Sequence, residues 1–324
     1  MFFELYNYIL VSHSRDPHLI SIVCIENHMQ YPPKNSLFLS FIPNVYPIGI
    51  VYMVGFSILS CTGDKNGSIP LSQQNNGSSD NAALSISAEQ AFRVPERPWD
   101  LAVHPNGDIY CTTQSGSKVY YWNPNTEVRE ETSVRFQDIQ GLWITDEEDF
   151  YYTTTDYGVT GTLSVMVGHT KEVLYTQADD GTLFRWPMDL IPDPADGGWI
   201  LADYNAGVLF VIEDNGFVHT QFAGSQKPQA LTYLDPYLYI GGEDGVFRIN
   251  WPDGTPEQID DRAAYGLVTV EHDIWGGNAD DGVFIVTGDS LGLNEAARVG
   301  PLLATNDGLY FGDHVGEGVW FVAW

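Results

Sequence analysis

The sequence predicts an all-β fold, a six-bladed β-propeller with four-stranded blades closed by an N-terminal outer strand. Three observations predict it. A pattern of three short strands separated by polar turns recurs six times. Its first-strand leucines are Leu101, Leu142, Leu190, Leu231, Leu267 and Leu302, a period of about forty residues, the length of one blade. Aromatic residues make up 13% of the chain and charged residues 18%, which suits a β-rich core better than a disordered chain. The sixth copy ends on its third strand, and QAFRV at residues 90–94 can supply the fourth, closing the ring without an open edge.

In chain order, residues 1–35 show no sustained period. Residues 36–60 are apolar and uncharged, follow Lys34, and contain Pro43 and Pro47. A basic residue, an apolar run and a small residue form the layout of an export signal. The run ends in Ile58, Leu59, Ser60 and Cys61, which resembles the lipobox of bacterial lipoproteins. That resemblance implies a lipid on the Cys61 thiol, a membrane partner through that anchor, and a place in the bacterial cell envelope, on the outer membrane, facing either the periplasm or the cell surface. The alternative is a chance cysteine after an apolar segment of other use. Export signals usually run to about 15–30 residues, so Met29 is a second candidate start and residues 1–28 then fall outside the working protein. After Cys61 the chain is rich in Gly, Ser, Asn and Gln, the composition of a flexible tether. The expected organisation is an export region over 1–60, a tether over 61–87 and the propeller over 88–324.

The blades follow. The first copy runs PWDLAVH, a PNGD turn, IYCTT, a QSGS turn and KVYYW. The fourth, residues 227–250, is the most regular. Leu231 and Tyr233 alternate with polar neighbours, Pro236 presets φ for a turn, and Gly241, Gly242 and Gly245 offer positive φ in the next. Polar segments at 127–134, 171–177, 217–222, 257–260 and 291–298 supply the outer strands. The competing architecture is an unclosed β-sandwich.

With 43 acidic and 14 basic residues the net charge is −29. Such a chain lacks the Lys and Arg needed to displace counterions from a nucleic acid, so nucleic acid is excluded as a partner. It favours solubility and attraction of cations. Cys24, Cys61 and Cys111 make no disulfide framework, and Cys111 reads as a small buried strand residue. The sequence contains no G-x-S-x-G, H-E-x-x-H, C-x-x-C or P-loop.

In a propeller, the starts of the inner strands and the loops between second and third strands share one face around the axis. Here those positions offer Trp99, Asp100, Gln140, Asp189, Gln229 and Tyr265 from the strand starts. The loops add Asp203, Glu243, Asp313 and His314. These are the candidate binding residues. A mouth so rich in oxygen suits calcium or another divalent cation, with Asp100 and Asp189 as the candidate metal ligands. The competing explanation is turn chemistry, in which Asp and Asn bond their own backbone.

PWDLAVHPNGDIYCTTQSGSKVYYWNP, at residues 98–124, resembles a unit of the NHL, gluconolactonase and streptogramin-lyase-like propellers, and the resemblance covers roughly residues 88–324. It implies a propeller fold. In the gluconolactonase-like members it also implies a metal held by Glu, Asn and Asp at inner-strand starts. Here those starts supply only Asp100 and Asp189 as carboxylates, so the triad is not reproduced. The lyase pattern of paired His with Glu is met only by His314 near Glu317. The preferred function is a ligand- or protein-binding module of the envelope, with an unknown protein or small molecule as partner. The alternative is a metal-dependent hydrolase or lyase using Asp100, Asp189 and His314.

Overall fold

The run VLFVI at Val208–Ile212 has no polar face to give to solvent, so a sheet built from it must be covered on both sides. A ring of radially stacked sheets meets that demand, because each blade is covered by its two neighbours. In the computed structural model, residues 9–10, 22–23, 85–114, 118–131, 138–156, 158–293, 298–313 and 315–324 are described. The apolar export run, Met29, Cys61, most of the tether and His314 lie outside them. The chain divides into two units, Met1–Gly63 and Asp64–Trp324. Within the first, Ile9–Leu10 pairs antiparallel with Ile22–Val23, a short ladder that the sequence pattern does not announce.

The second unit is a six-bladed β-propeller. The inner strands are Pro98–Val103, Ile139–Ile144, Pro187–Pro192, Pro228–Leu234, Gly266–Val270 and Val299–Ala304. Each heads a four-stranded antiparallel order, and each packs beside the next around the axis, with Val299–Ala304 returning to Pro98–Val103. The sixth blade takes its outer strand from Glu89–Arg93, where Phe92 pairs with Val319 and Arg93 with Gly318. The closure expected at residues 90–94 is therefore present, shifted by one residue.

One hydrophobic cluster fills each junction between neighbouring blades. Alternation along a strand feeds two of them. Leu209 and Val211 point into the junction of blades three and four, while Phe210 and Ile212 point into that of blades two and three. This is the period-two side-chain rule acting in a sheet buried on both faces. Cys111 is buried in the junction between blades six and one, as expected of a small apolar residue. Burial pushes its thiol far up, so it remains protonated.

Three features differ from expectation. Ser85–Ile86, assigned to the tether, adds a fifth strand parallel to Ser290–Leu293 in blade five, so the strands of the propeller begin before residue 88. The longer spacing from Leu142 to Leu190 comes from a small hairpin bridged between Gln177 and Leu183, which buries Phe184 completely. In the fourth blade only Gly245 has a positive φ, +130°. Gly241 is a strand residue kept small by close approach, since a Cβ there would lie 2.7 Å from the Ala264 carbonyl oxygen.

Candidate functional site at the top of the propeller

We call the face on which the inner strands begin the top. The inner strands of blades one, three and four each carry a register shift there, between Pro98 and Asp100, Pro187 and Asp189, and Pro228 and Ala230. Such bulges re-aim side chains at the end of a strand. Residues Trp99 and Gln229, both half-buried, fall at these register shifts.

The position just before each first-strand leucine is occupied in turn by Asp100, Gly141, Asp189, Ala230, Gly266 and Pro301. The two aspartates stitch blades together. Asp100 Oδ1 accepts the Leu101 N–H at 2.8 Å, and its Oδ2 accepts the Leu142 N–H of blade two at 2.6 Å. Asp189 repeats this with Leu190 and with Leu231 of blade four, both at 2.7 Å. The glycines serve the tight junctions. A Cβ on Gly141 would sit 2.9 Å from Asp189 Cα, and one on Gly266 2.4 Å from the Gly300 carbonyl oxygen. Carboxylate bridges thus join blade one to two and blade three to four, while Gly141 and Gly266 allow close approach at two other junctions.

Both aspartates are half-buried, and their carboxyl oxygens are turned into backbone N–H groups. Burial raises Asp189 to about 7 against the opposing pull of those hydrogen bonds. Burial also raises Asp100 well above the usual range, and the charge of Asp189 adds to it. A carboxyl held near neutrality suits proton transfer, yet both oxygens of each residue are committed to the scaffold.

Asp203 is fully buried. Its carboxylate accepts backbone N–H bonds from Arg185, Trp186, Asn205 and Ala206. Burial outweighs these four bonds and raises its pKa. Its side chain clamps the loop that enters blade three and does not reach the mouth. Asp313 is half-buried and accepts the Val315 N–H at 2.9 Å. Turn chemistry thus accounts for the Asp313 contact and for two of the four made by Asp203, while Arg185 and Trp186 reach Asp203 from the segment entering blade three.

A polar and aromatic arc of contacts crosses blades two to five at this end. Gln140, buried in blade two, accepts the Trp186 indole N–H at 3.0 Å. Trp186 meets Tyr204 edge-on, at 5.5 Å between centroids. Tyr204 donates its hydroxyl proton to Glu243 Oε1. Lys227 donates to Glu243 Oε2 at 2.7 Å and lies 4.9 Å from the Tyr204 ring centroid. Lys227, then Tyr204, hold the Glu243 carboxyl below its ordinary value. Tyr265 is raised by burial, then by the charges of Glu243 and Asp280. The sequence reading named Gln140, Glu243 and Tyr265 but missed Tyr204 and Lys227. A lone base opening the fourth copy, among acidic loops, was the available signal for Lys227.

The metal that the gluconolactonase resemblance implies does not fit these residues. Among the described residues no group of three or more His, Cys, Asp or Glu is placed to hold a metal ion. The strand starts facing Asp100 and Asp189 carry the amides Gln140 and Gln229 in place of further carboxylates.

No family model matches the chain, and no curated protein matches it in sequence. Solved structures do match in fold. A gluconolactonase from Xanthomonas campestris superposes with a TM-score of 0.59 at 12% identity, over 73% of this chain and 89% of that one. Virginiamycin B lyase from Staphylococcus aureus gives 0.53 at 11% identity, over 73% and 99%. A PQQ-bound aldose sugar dehydrogenase from Streptomyces coelicolor gives 0.55 at 12% identity, over 72% and 95%. The class is thereby defined: a six-bladed β-propeller. Within that class its neighbours are enzyme-like propellers, which it resembles in fold.

Proposed function

We propose that the propeller is a ligand-binding module whose top face takes a small, hydroxyl-rich, sugar-like molecule. The observation that carries this is the cross-blade arc of Gln140, Trp186, Tyr204, Lys227, Glu243 and Tyr265. It combines aromatic rings with a few fixed polar groups, the composition of small-molecule sites. Rings can cover the C–H face of a sugar, while the amide, carboxylate and ammonium meet its hydroxyls. Glu243 stays ionised and acceptor-only, which suits hydroxyl donors. The names of the fold neighbours, gluconolactonase and aldose sugar dehydrogenase, agree with a sugar-like ligand. The hydrolase or lyase alternative has that likeness of fold in its favour and lacks a converging set of metal donors.

Calorimetric titration of the full chain with aldoses, aldonates and aldonolactones tests this. One class should bind, and Glu243→Gln or Tyr265→Ala should weaken it about ten-fold. The exposed Glu243 variant should melt close to the parent. Absence of binding across the panel rejects the sugar-like ligand. Lactone turnover lost on chelation would establish the enzyme instead.

The same proposal places the module on the bacterial envelope through a lipid on Cys61. Cys61→Ser should abolish labelling by a radioactive fatty acid in expressing cells. Labelling that persists in the variant removes the anchor.

A further inference from the structure

The end of the axis opposite the mouth holds a cavity of about 520 Å³, within the range of small-ligand pockets. Every blade contributes to it at one strand level, through Val103, Ile144, Pro192, Tyr233, Thr269 and Ala304. The hydroxyls of its lining are taken up by the protein, that of Tyr233 by the exposed Asp235 Oδ1 at 3.0 Å. Thr232 and Thr269 share a hydrogen bond at 3.0 Å, and Thr269 donates to the Tyr233 carbonyl oxygen at 3.0 Å. The cavity surface that remains is apolar and aromatic. Val103 and Trp143, which both line the cavity, are 41% and 37% exposed. These are large exposures for apolar side chains of inner strands.

Two further hollows open from this cavity and share Val103 with it. In one, Trp324 is pinned by its indole N–H to the Thr305 carbonyl oxygen at 2.9 Å and stands edge-on to Trp275, 5.6 Å away. Trp275 is buried, and its indole N–H has no hydrogen-bond partner among the described residues. Charge around the hollows has one sign. Their linings include Glu271, Asp273, Asp146 and Asp307 and, among the described residues, no lysine or arginine. An apolar aromatic well with a carboxylate rim attracts a cation twice, through ring faces and through the rim.

We propose that this bottom cavity is a second binding site, for a small molecule with an apolar or aromatic body and a cationic amine. The body fills the axial well against Trp143 and Tyr233, and the ammonium rests at the acidic rim. The same rim disfavours an anion on an identical body. The site uses none of the residues of the top arc, so the two can succeed or fail separately.

The test titrates the full chain with phenylbutylammonium, phenylbutyrate and phenylbutanol, followed by tryptophan fluorescence and calorimetry. Phenylbutylammonium should bind saturably and at least about ten-fold more tightly than phenylbutyrate. Val103→Lys, which puts a cation into the well from an exposed position, should abolish binding. Trp143→Ala should weaken it about ten-fold, and it decides the matter should the lysine variant not fold. Glu243→Gln, on the opposite face, should leave it unchanged. No saturable binding, equal binding of the anion, or binding undiminished in Trp143→Ala would overturn the proposal.

Discussion

Asp203→Ala should lower the unfolding free energy by about 3–4 kcal/mol and the melting temperature by roughly 10 °C. Asp203 is fully buried, and four backbone N–H groups depend on it: those of Arg185, Trp186, Asn205 and Ala206. Alanine leaves these donors without an acceptor in a place where water has little room to replace it, and each unmet buried donor costs about 1–3 kcal/mol. The costs do not add fully, because the loop can relax. Asp203→Asn should cost about half as much. Its remaining oxygen can keep the three bonds now made by Oδ1, while the amide group meets the Arg185 N–H donor head-on. Chemical denaturation of the three proteins checks the order. A change below about 1 kcal/mol in the alanine variant would mean that the loop is held by other contacts.

Between pH 5 and pH 8 the protein should lose stability, and Asp189→Asn should lose much less. The sign follows from linkage. A carboxyl raised on folding binds its proton more tightly in the folded state. Its contribution is therefore complete below the ordinary value of 3.8 and fades as pH rises through the folded value, about 7 for Asp189. Asp100 and Asp203 are raised as well, both chiefly by burial, and act in the same direction. Asp260 works the other way. Burial alone would raise it, but Arg262 and the backbone N–H groups of Thr287 and Arg262 bring it to about 2. Its contribution is present above 3.8 and lost as pH falls toward 2. The expected profile rises out of strong acid, peaks near pH 4–5 and declines by on the order of a few kcal/mol toward pH 8. Asparagine carries no charge at position 189, so the variant should start lower and fall less steeply. Melting curves at each pH would show parallel slopes if Asp189 titrates as an ordinary surface carboxyl.

The ring was legible because each blade repeats the same demand. Six leucines at one strand position, strands apolar on both faces and a missing outer strand leave little choice but a closed propeller. The fifth strand at Ser85–Ile86 was not legible, since two residues in a polar stretch carry no period. The site was legible only as a face. Residue type marked Asp100 and Asp189 as metal ligands and Asp203 as a binding residue, but the same carboxylates satisfy backbone donors between blades and within loops, and no residue pattern separates those uses. Tyr204, Glu243 and Lys227 come from two blades, so their meeting depends on the ring itself. The bottom cavity is hidden for a related reason. Val103, Tyr233 and Ala304 look like ordinary strand residues until six strands bring them to one axis.

The axial aspartates Asp100 and Asp189 serve the scaffold, and the proposed binding function requires no catalytic metal there. Native mass spectrometry of the purified full chain, with metal analysis and melting curves in calcium and in EDTA, tests it most directly. The expected result is a mass without a stoichiometric divalent cation and a melting temperature that neither addition moves. One tightly held cation per chain, with a melting temperature that drops in EDTA and recovers with the metal, would contradict it.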